Sequence, residues 1–142
     1  MYIFNFYYLL ALKYFNFIII MAYFCKNNLM ITIYHNPRCS KSREGLQLLE
    51  LQGQPFTTVK YLNEPLTKQE LTSIIAKLGI APIDLVRQKE TIWIKDYKGK
   101  QLTDDQVIDA LLAHPNLIER PIVINGDKAV IARPAEKIKE IL

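Results

Sequence analysis

Cys39 lies in a stretch rich in groups that could serve a reactive thiol: His35-Asn-Pro-Arg-Cys39-Ser-Lys-Ser42-Arg43. Most single cysteines are buried small hydrophobes with no chemistry. The position of this one argues otherwise, because it falls where a short strand turns into a helix. The first turn of a helix leaves N–H groups unpaired and carries a partial positive charge, and both stabilise a thiolate. Cysteines so placed can have pKa values lowered from about 8.5 to roughly 3.5–7.5. Arg38, Lys41 and Arg43 add cationic charge within a few residues. The same N–H groups form a cradle for anions. A thiolate and an oxyanion site are therefore expected to coincide.

Other thiol chemistries fail on spacing. A redox C-x-x-C pair would need a cysteine where Ser42 stands, and a phosphatase-type C-x5-R loop would need an arginine where Gly45 stands. Two cysteines and two histidines are scattered without the usual zinc-ligand spacings, so no metal site is expected. Neither a G-x-G-x-x-G run nor a Walker A motif is present. One thiol remains, with no partner in its own helix.

The elements that must position Cys39 follow from local patterning. Met30–Tyr34 is a short apolar, β-branched run interrupted by His35-Asn-Pro-Arg38, and Cys39–Gln52 reads as a helix with an apolar face on Leu46 and Leu49 and a stop at Gly53. Phe56–Tyr61 is a second strand, so residues 30–61 form a βαβ unit with parallel strands. Thr67-Lys-Gln-Glu70 is a capping box opening a helix that runs to Lys77 and stops at Gly79. Pro82 suits the first turn of a short helix ending near Arg87, and Gln88–Gln101, with weak periodicity, reads as loop. Thr103-Asp-Asp-Gln106 opens a helix over Asp104–Ala113 that His114-Pro115 ends; His114 has no further role. Pro121–Ile124, Asn125-Gly126 and Lys128–Ile131 form a hairpin by the Asn-Gly rule, and Pro134 opens a terminal helix to Ile141. A parallel βαβ unit, helices, then ββα is the thioredoxin-like arrangement: an α/β fold with a four-stranded mixed sheet flanked by helices and a helical insertion.

The chain's 142 residues suffice for one domain with a real core. Its net charge of +4 is modest, and the basic residues are spread out, so nothing demands nucleic acid or an anionic membrane. The average conceals a seam. Residues 1–29 hold ten of the fifteen aromatics, two lysines and no acidic residue, whereas residues 30–142 carry sixteen basic against fourteen acidic residues. Met1–Leu12 has no basic residue and no small-residue cleavage site follows, against a signal peptide. Asn5, Lys13 and Asn16 interrupt what a membrane span of about 20 apolar residues would need. The expectation is an apolar N-terminal extension, a start-site artefact or a membrane anchor, with Cys25 in it playing no part in the chemistry. Residues 30–142 are expected to be the whole functional domain.

The motifs together resemble one family. His35–Arg43 is similar to the active-site loop of the glutaredoxin-coupled arsenate reductases, the single-cysteine type with a thioredoxin fold. The likeness continues through Asp84-Leu-Val-Arg87, Thr103-Asp-Asp-Gln106, Arg120-Pro-Ile-Val123 and Ala132-Arg-Pro134, in order, and spans residues 30–142 but not 1–29. It implies a cytoplasmic enzyme that reduces arsenate to arsenite. Cys39 would attack arsenic to give a thiol–arsenate adduct, with glutathione as co-substrate, glutaredoxin resolving the mixed disulfide, and no bound cofactor. Arg87, Arg120 and Arg133 correspond to the family's anion-binding arginines; read alone, each would more often be a solvated surface residue. Guanidinium forks suit tetrahedral oxyanions because they donate bidentately and stay charged. His35 matches a histidine that favours the thiolate, although a loop histidine with a structural hydrogen bond fits the same pattern. Ser42 could donate a hydrogen bond to the thiolate or cap the helix. Pro121 matches a proline, usually cis, that precedes the third strand.

Two other readings share the fold. One is a related glutathione-dependent thiol reductase that is not specific for arsenate. The other is a non-enzymatic regulator that binds RNA polymerase; such regulators usually carry a C-x-x-C switch, which Ser42 breaks.

Overall fold

The computed structural model describes residues 30–142. The expectations for residues 1–29, Cys25 included, concern a segment outside the described residues. Strand β1 (Ile31–Tyr34), helix α1 (Ser40–Gln52) and strand β2 (Phe56–Val59) form the expected unit, with β1 and β2 parallel and Ile31 opposite Phe56. Next come α2 (Lys68–Leu78), α3 (Thr91–Asp96), α4 (Asp104–Ala113), β3 (Ile122–Asn125) and β4 (Lys128–Ile131), with 3₁₀ turns at Pro82–Leu85, Pro115–Leu117 and Ala135–Glu140. The sheet order is β2-β1-β3-β4, and β3 runs antiparallel to both neighbours. This is the mixed four-stranded thioredoxin-like sheet. Among the described residues no helix is long and apolar enough to cross a membrane.

Both faces of the sheet are covered, and the two-residue period of the strands assigns side chains to each. Ile31, Ile33 and Val123 pack with Leu49 of α1 and with Ile138 and Ile141 at the C-terminal end. Ile122, with Tyr34 and Ile124 beside it, packs on the other side with Leu71, Ile74, Leu85, Trp93, Val107, Leu111 and Leu117. The central strands are therefore apolar almost throughout, as a strand buried on both faces must be.

Local chemistry explains the element ends. Both capping boxes form: the Glu70 N–H donates to Thr67 Oγ1 at 3.2 Å while Glu70 Oε2 accepts from the Thr67 N–H at 2.7 Å, and Gln106 and Thr103 repeat the pattern. Five expectations change. The stretch 88–101 is not all loop, because Thr91–Asp96 is helical. Only Trp93 of that helix is buried, stacked on Tyr97 at 5.2 Å, while Ile92 and Ile94 are exposed, so no apolar period marks it. Strand β2 ends at Val59, and Tyr61 turns inward to near-complete burial. The helix expected to reach Arg87 is a 3₁₀ turn ending at Leu85, after which Val86 pairs with Ile118; the terminal helix is likewise 3₁₀. The hairpin loop is Gly126-Asp127, since Asn125 pairs with Lys128; its positive φ of 60° at Gly126 alone is the pattern of a type II′ turn.

Gly45 controls how closely α1 approaches the loop before β3. A Cβ there would lie 2.9 Å from Pro121 Cγ, 3.6 Å from Ile138 Cδ1 and 3.8 Å from Ile33 Cδ1. The absent side chain lets the first turns of α1 lie against Pro121, whose peptide bond with Arg120 is cis, as expected; Arg133-Pro134 is cis as well. Cys39 is thereby brought beside residues from the far end of the chain.

Candidate active site

Cys39 is the N-cap of α1, in extended backbone (φ −96°, ψ 124°), so the residue itself occupies the place where the helix N–H groups open. The loop before it is clasped by one residue. The Asn36 carbonyl accepts from the Cys39 N–H at 3.0 Å, Asn36 Oδ1 accepts from the Arg38 N–H at 2.9 Å, and the Asn36 N–H donates to Ser42 Oγ at 3.2 Å. Asn36 and Ser42 are both buried. The Ser42 hydroxyl is thus the acceptor that ties the loop to α1. It does not act as the helix cap, because Cys39 holds that position and no side chain caps the helix.

Two arginines reach the thiol from the other side. Arg133 Nη2 lies 3.9 Å from Cys39 Sγ, while its Nε donates to the Arg120 carbonyl at 2.9 Å. Arg120 Nη1 donates to the Asn116 carbonyl at 2.9 Å. Burial alone would push the Cys39 thiol up. The Ser42 N–H, the Arg120 and Arg133 guanidiniums and the Lys41 N–H outweigh that, and they hold the thiol below its ordinary value.

Arg87 stands beside this pair without joining it at the sulfur. Its Nη1 donates to the same Asn116 carbonyl at 3.3 Å and forms an ion pair with Glu90, and its backbone N–H donates to the Leu117 carbonyl at 2.7 Å. His35 is 4% exposed, and its Nδ1 has no hydrogen-bond partner. Burial, with the Lys60 and Arg43 charges, lowers its pKa despite a hydrogen bond to the Ser42 backbone. The ring is therefore neutral at neutral pH and offers Cys39 no full positive charge.

Three participants carried no signal in the sequence. Asn116 acts through its carbonyl, which any residue would supply. Glu119 meets Arg133 Nη1 at 3.4 Å. Tyr61 keeps a buried, unpartnered hydroxyl on which the Arg120, Arg87 and Cys39 charges act, burial raising its pKa. What the arrangement can do is hold a nucleophilic sulfur and a tetrahedral anion together, with helix N–H groups on one side and guanidinium forks on the other.

Known proteins carry the same architecture. The model of the ArsC family matches residues 34–141. An arsenate reductase of Haemophilus influenzae is 46% identical over 115 residues, covering 79% of this chain and 98% of its own. An arsenate reductase of Escherichia coli is 40% identical over 116 residues, covering 79% of this chain and 80% of its own. The solved structure of an arsenate reductase from Vibrio cholerae superposes with a TM-score of 0.77 at 42% identity, over 80% of this chain and 98% of that one.

Proposed function

The chain belongs to the ArsC family, and we propose that it reduces arsenate to arsenite with Cys39 as nucleophile. The observation that carries this reading is the 3.9 Å approach of Arg133 Nη2 to Cys39 Sγ at the open end of α1, which joins a stabilised thiolate to an anion-binding fork.

In the proposed course, arsenate enters between Arg120, Arg133 and the N–H groups of Lys41 and Ser42, with Arg87 at the edge. The Cys39 thiolate attacks arsenic; a sulfur–arsenic bond forms and one oxygen leaves, protonated, as water. The guanidiniums and N–H groups hold the charge that develops on the remaining oxygens. A glutathione thiolate then attacks Cys39 Sγ. A disulfide forms, the sulfur–arsenic pair of electrons stays with arsenic, and arsenite departs. Glutaredoxin reduces the resulting mixed disulfide. External thiols are required because one cysteine without a partner cannot supply two electrons. In this scheme Ser42 ties the loop that presents Cys39, and His35 supports that loop as a neutral ring. Residues 30–142 carry the activity without a bound cofactor, in a reducing compartment such as the cytoplasm.

The test is an arsenate-reduction assay of the full chain with glutathione and glutaredoxin, followed by mass spectrometry of the enzyme. Arsenite production and a glutathione adduct on Cys39 are expected. Arsenite production without any adduct on Cys39 would overturn the mechanism, and no arsenite production would overturn the function.

A further inference from the structure

Arg133 is partly exposed, yet each part of its guanidinium is engaged. Nη2 faces Cys39 Sγ at 3.9 Å, Nε donates to the Arg120 carbonyl at 2.9 Å, and Nη1 meets Glu119 Oε2 at 3.4 Å. Two of these three grips come from one dipeptide, Glu119-Arg120. That dipeptide is itself fixed, because the Glu119 N–H donates to the Leu85 carbonyl at 2.9 Å and Ile118 pairs with Val86. Glu119 Oε2 is buried and has no hydrogen bond, so Arg133 is its ion-pair partner. A carboxylate beside an anion site is opposed by simple Coulomb repulsion of the thiolate and of the bound oxyanion. Its presence there is explained if holding the arginine is worth more than that repulsion.

We propose that Glu119 is a positioning residue for this site: its carboxylate aims the Arg133 fork at Cys39 Sγ and so sets how well the site holds a thiolate and a tetrahedral oxyanion. The inference deepens the reading of the site as an arsenate site and rests on it only for the identity of the oxyanion. A freely rotating arginine would spread its charge over many rotamers, whereas a fork pinned at Nε and Nη1 presents Nη2 in one direction.

The experiment uses the full chain and alkylation of Cys39. The rate of reaction with uncharged iodoacetamide is followed against pH, and protection by arsenate is titrated at fixed pH. Glu119→Ala is expected to move the alkylation midpoint upward and to raise the arsenate concentration giving half protection by roughly fivefold to tenfold, less than the loss of a whole charge-assisted hydrogen bond because the Nε grip on the Arg120 carbonyl remains. Glu119→Gln, which keeps an acceptor of the same reach, should recover part of both effects. Arg133→Ala with Glu119→Ala should be no worse than Arg133→Ala alone. A midpoint that moves downward, or does not move, in Glu119→Ala would overturn the proposal, since it would leave the carboxylate as a mere repulsive neighbour. Additive losses in the double variant would also overturn it. Absence of arsenate protection in the unaltered chain would instead sink the arsenate reading, and the pH midpoint would still decide the role of Glu119.

Discussion

On one side of Cys39 the thiol is surrounded by its own neighbourhood. Asn36 clasps the loop, Lys41 and Ser42 supply N–H groups, and every contact falls within six residues of one another. On the other side the charge arrives from far down the chain, on Arg120 and Arg133 at the two ends of the β3–β4 hairpin, and it depends on β3 pairing with β1 and on Gly45 admitting Pro121. The near side consists mostly of backbone and tolerates little change of shape, whereas the far side consists of long side chains held by carbonyls. The first can therefore be disturbed only by moving the loop or removing the sulfur, the second by single truncations.

Removing the sulfur should have the largest effect. Cys39→Ser is expected to abolish arsenate reduction, because a serine hydroxyl is hardly ionised near neutral pH, while the fold persists. Cys25→Ser should leave the rate unchanged. An internal Cys25–Cys39 disulfide as the main oxidised species would make a thiol outside residues 30–142 part of the chemistry and end the reading of Cys39 as a single thiol; non-reducing mass mapping decides.

On the far side, Arg120→Ala and Arg133→Ala should each weaken oxyanion stabilisation by about 1.5–3 kcal/mol, a tenfold to hundredfold loss in kcat/KM. Arg87→Ala should lose less than either, because its guanidinium is already paired with Glu90 and meets the others only through the Asn116 carbonyl. Equal losses at all three would show that Arg87 leaves Glu90 when the anion binds. Steady-state kinetics with arsenate separates these outcomes.

Gly45→Ala tests the joint between the two sides. The added methyl would sit 2.9 Å from Pro121 Cγ, and overpacking of this kind costs roughly 1–3 kcal/mol of stability. Chemical denaturation should show that loss, with kcat/KM falling more than the stability alone explains, because the shifted Pro121 carries Arg120 with it.

The same division sets what could be read in the amino-acid order. The thiol's half was legible: strand, turn, helix start and cationic neighbours are local, and so are the capping boxes that place α2 and α4. The arginines were legible only through the family likeness, since by themselves Arg87, Arg120 and Arg133 look like solvated surface residues. Asn116 could not be found at all, because its part is played by a carbonyl. Glu119 looks like any surface acid until Arg133 is folded against it. The helix Thr91–Asp96 escaped because a single buried Trp93 makes no period.

The smallest expected effect concerns His35, which the family likeness would make a helper of the thiolate. Its ring is buried and its pKa lowered, so near neutral pH it carries no charge to lend. His35→Gln should therefore leave the pH midpoint of Cys39 alkylation in place, whereas Arg133→Ala should move it upward, since the guanidinium is among the groups holding the thiol below its ordinary value. Stability gives an independent sign. A histidine with a lowered folded pKa is neutral in the folded protein where the unfolded chain already takes up a proton, so its contribution is present above the unfolded value near 6.5 and is lost as pH falls below it toward the folded value. Thermal unfolding of the unaltered chain should thus fall off more steeply between pH 7 and 5, two values spanning that reference, than unfolding of His35→Gln. An alkylation midpoint that rises in His35→Gln as far as in Arg133→Ala would show that the near side holds the thiolate by side-chain charge after all, and the contrast between the two sides would be lost.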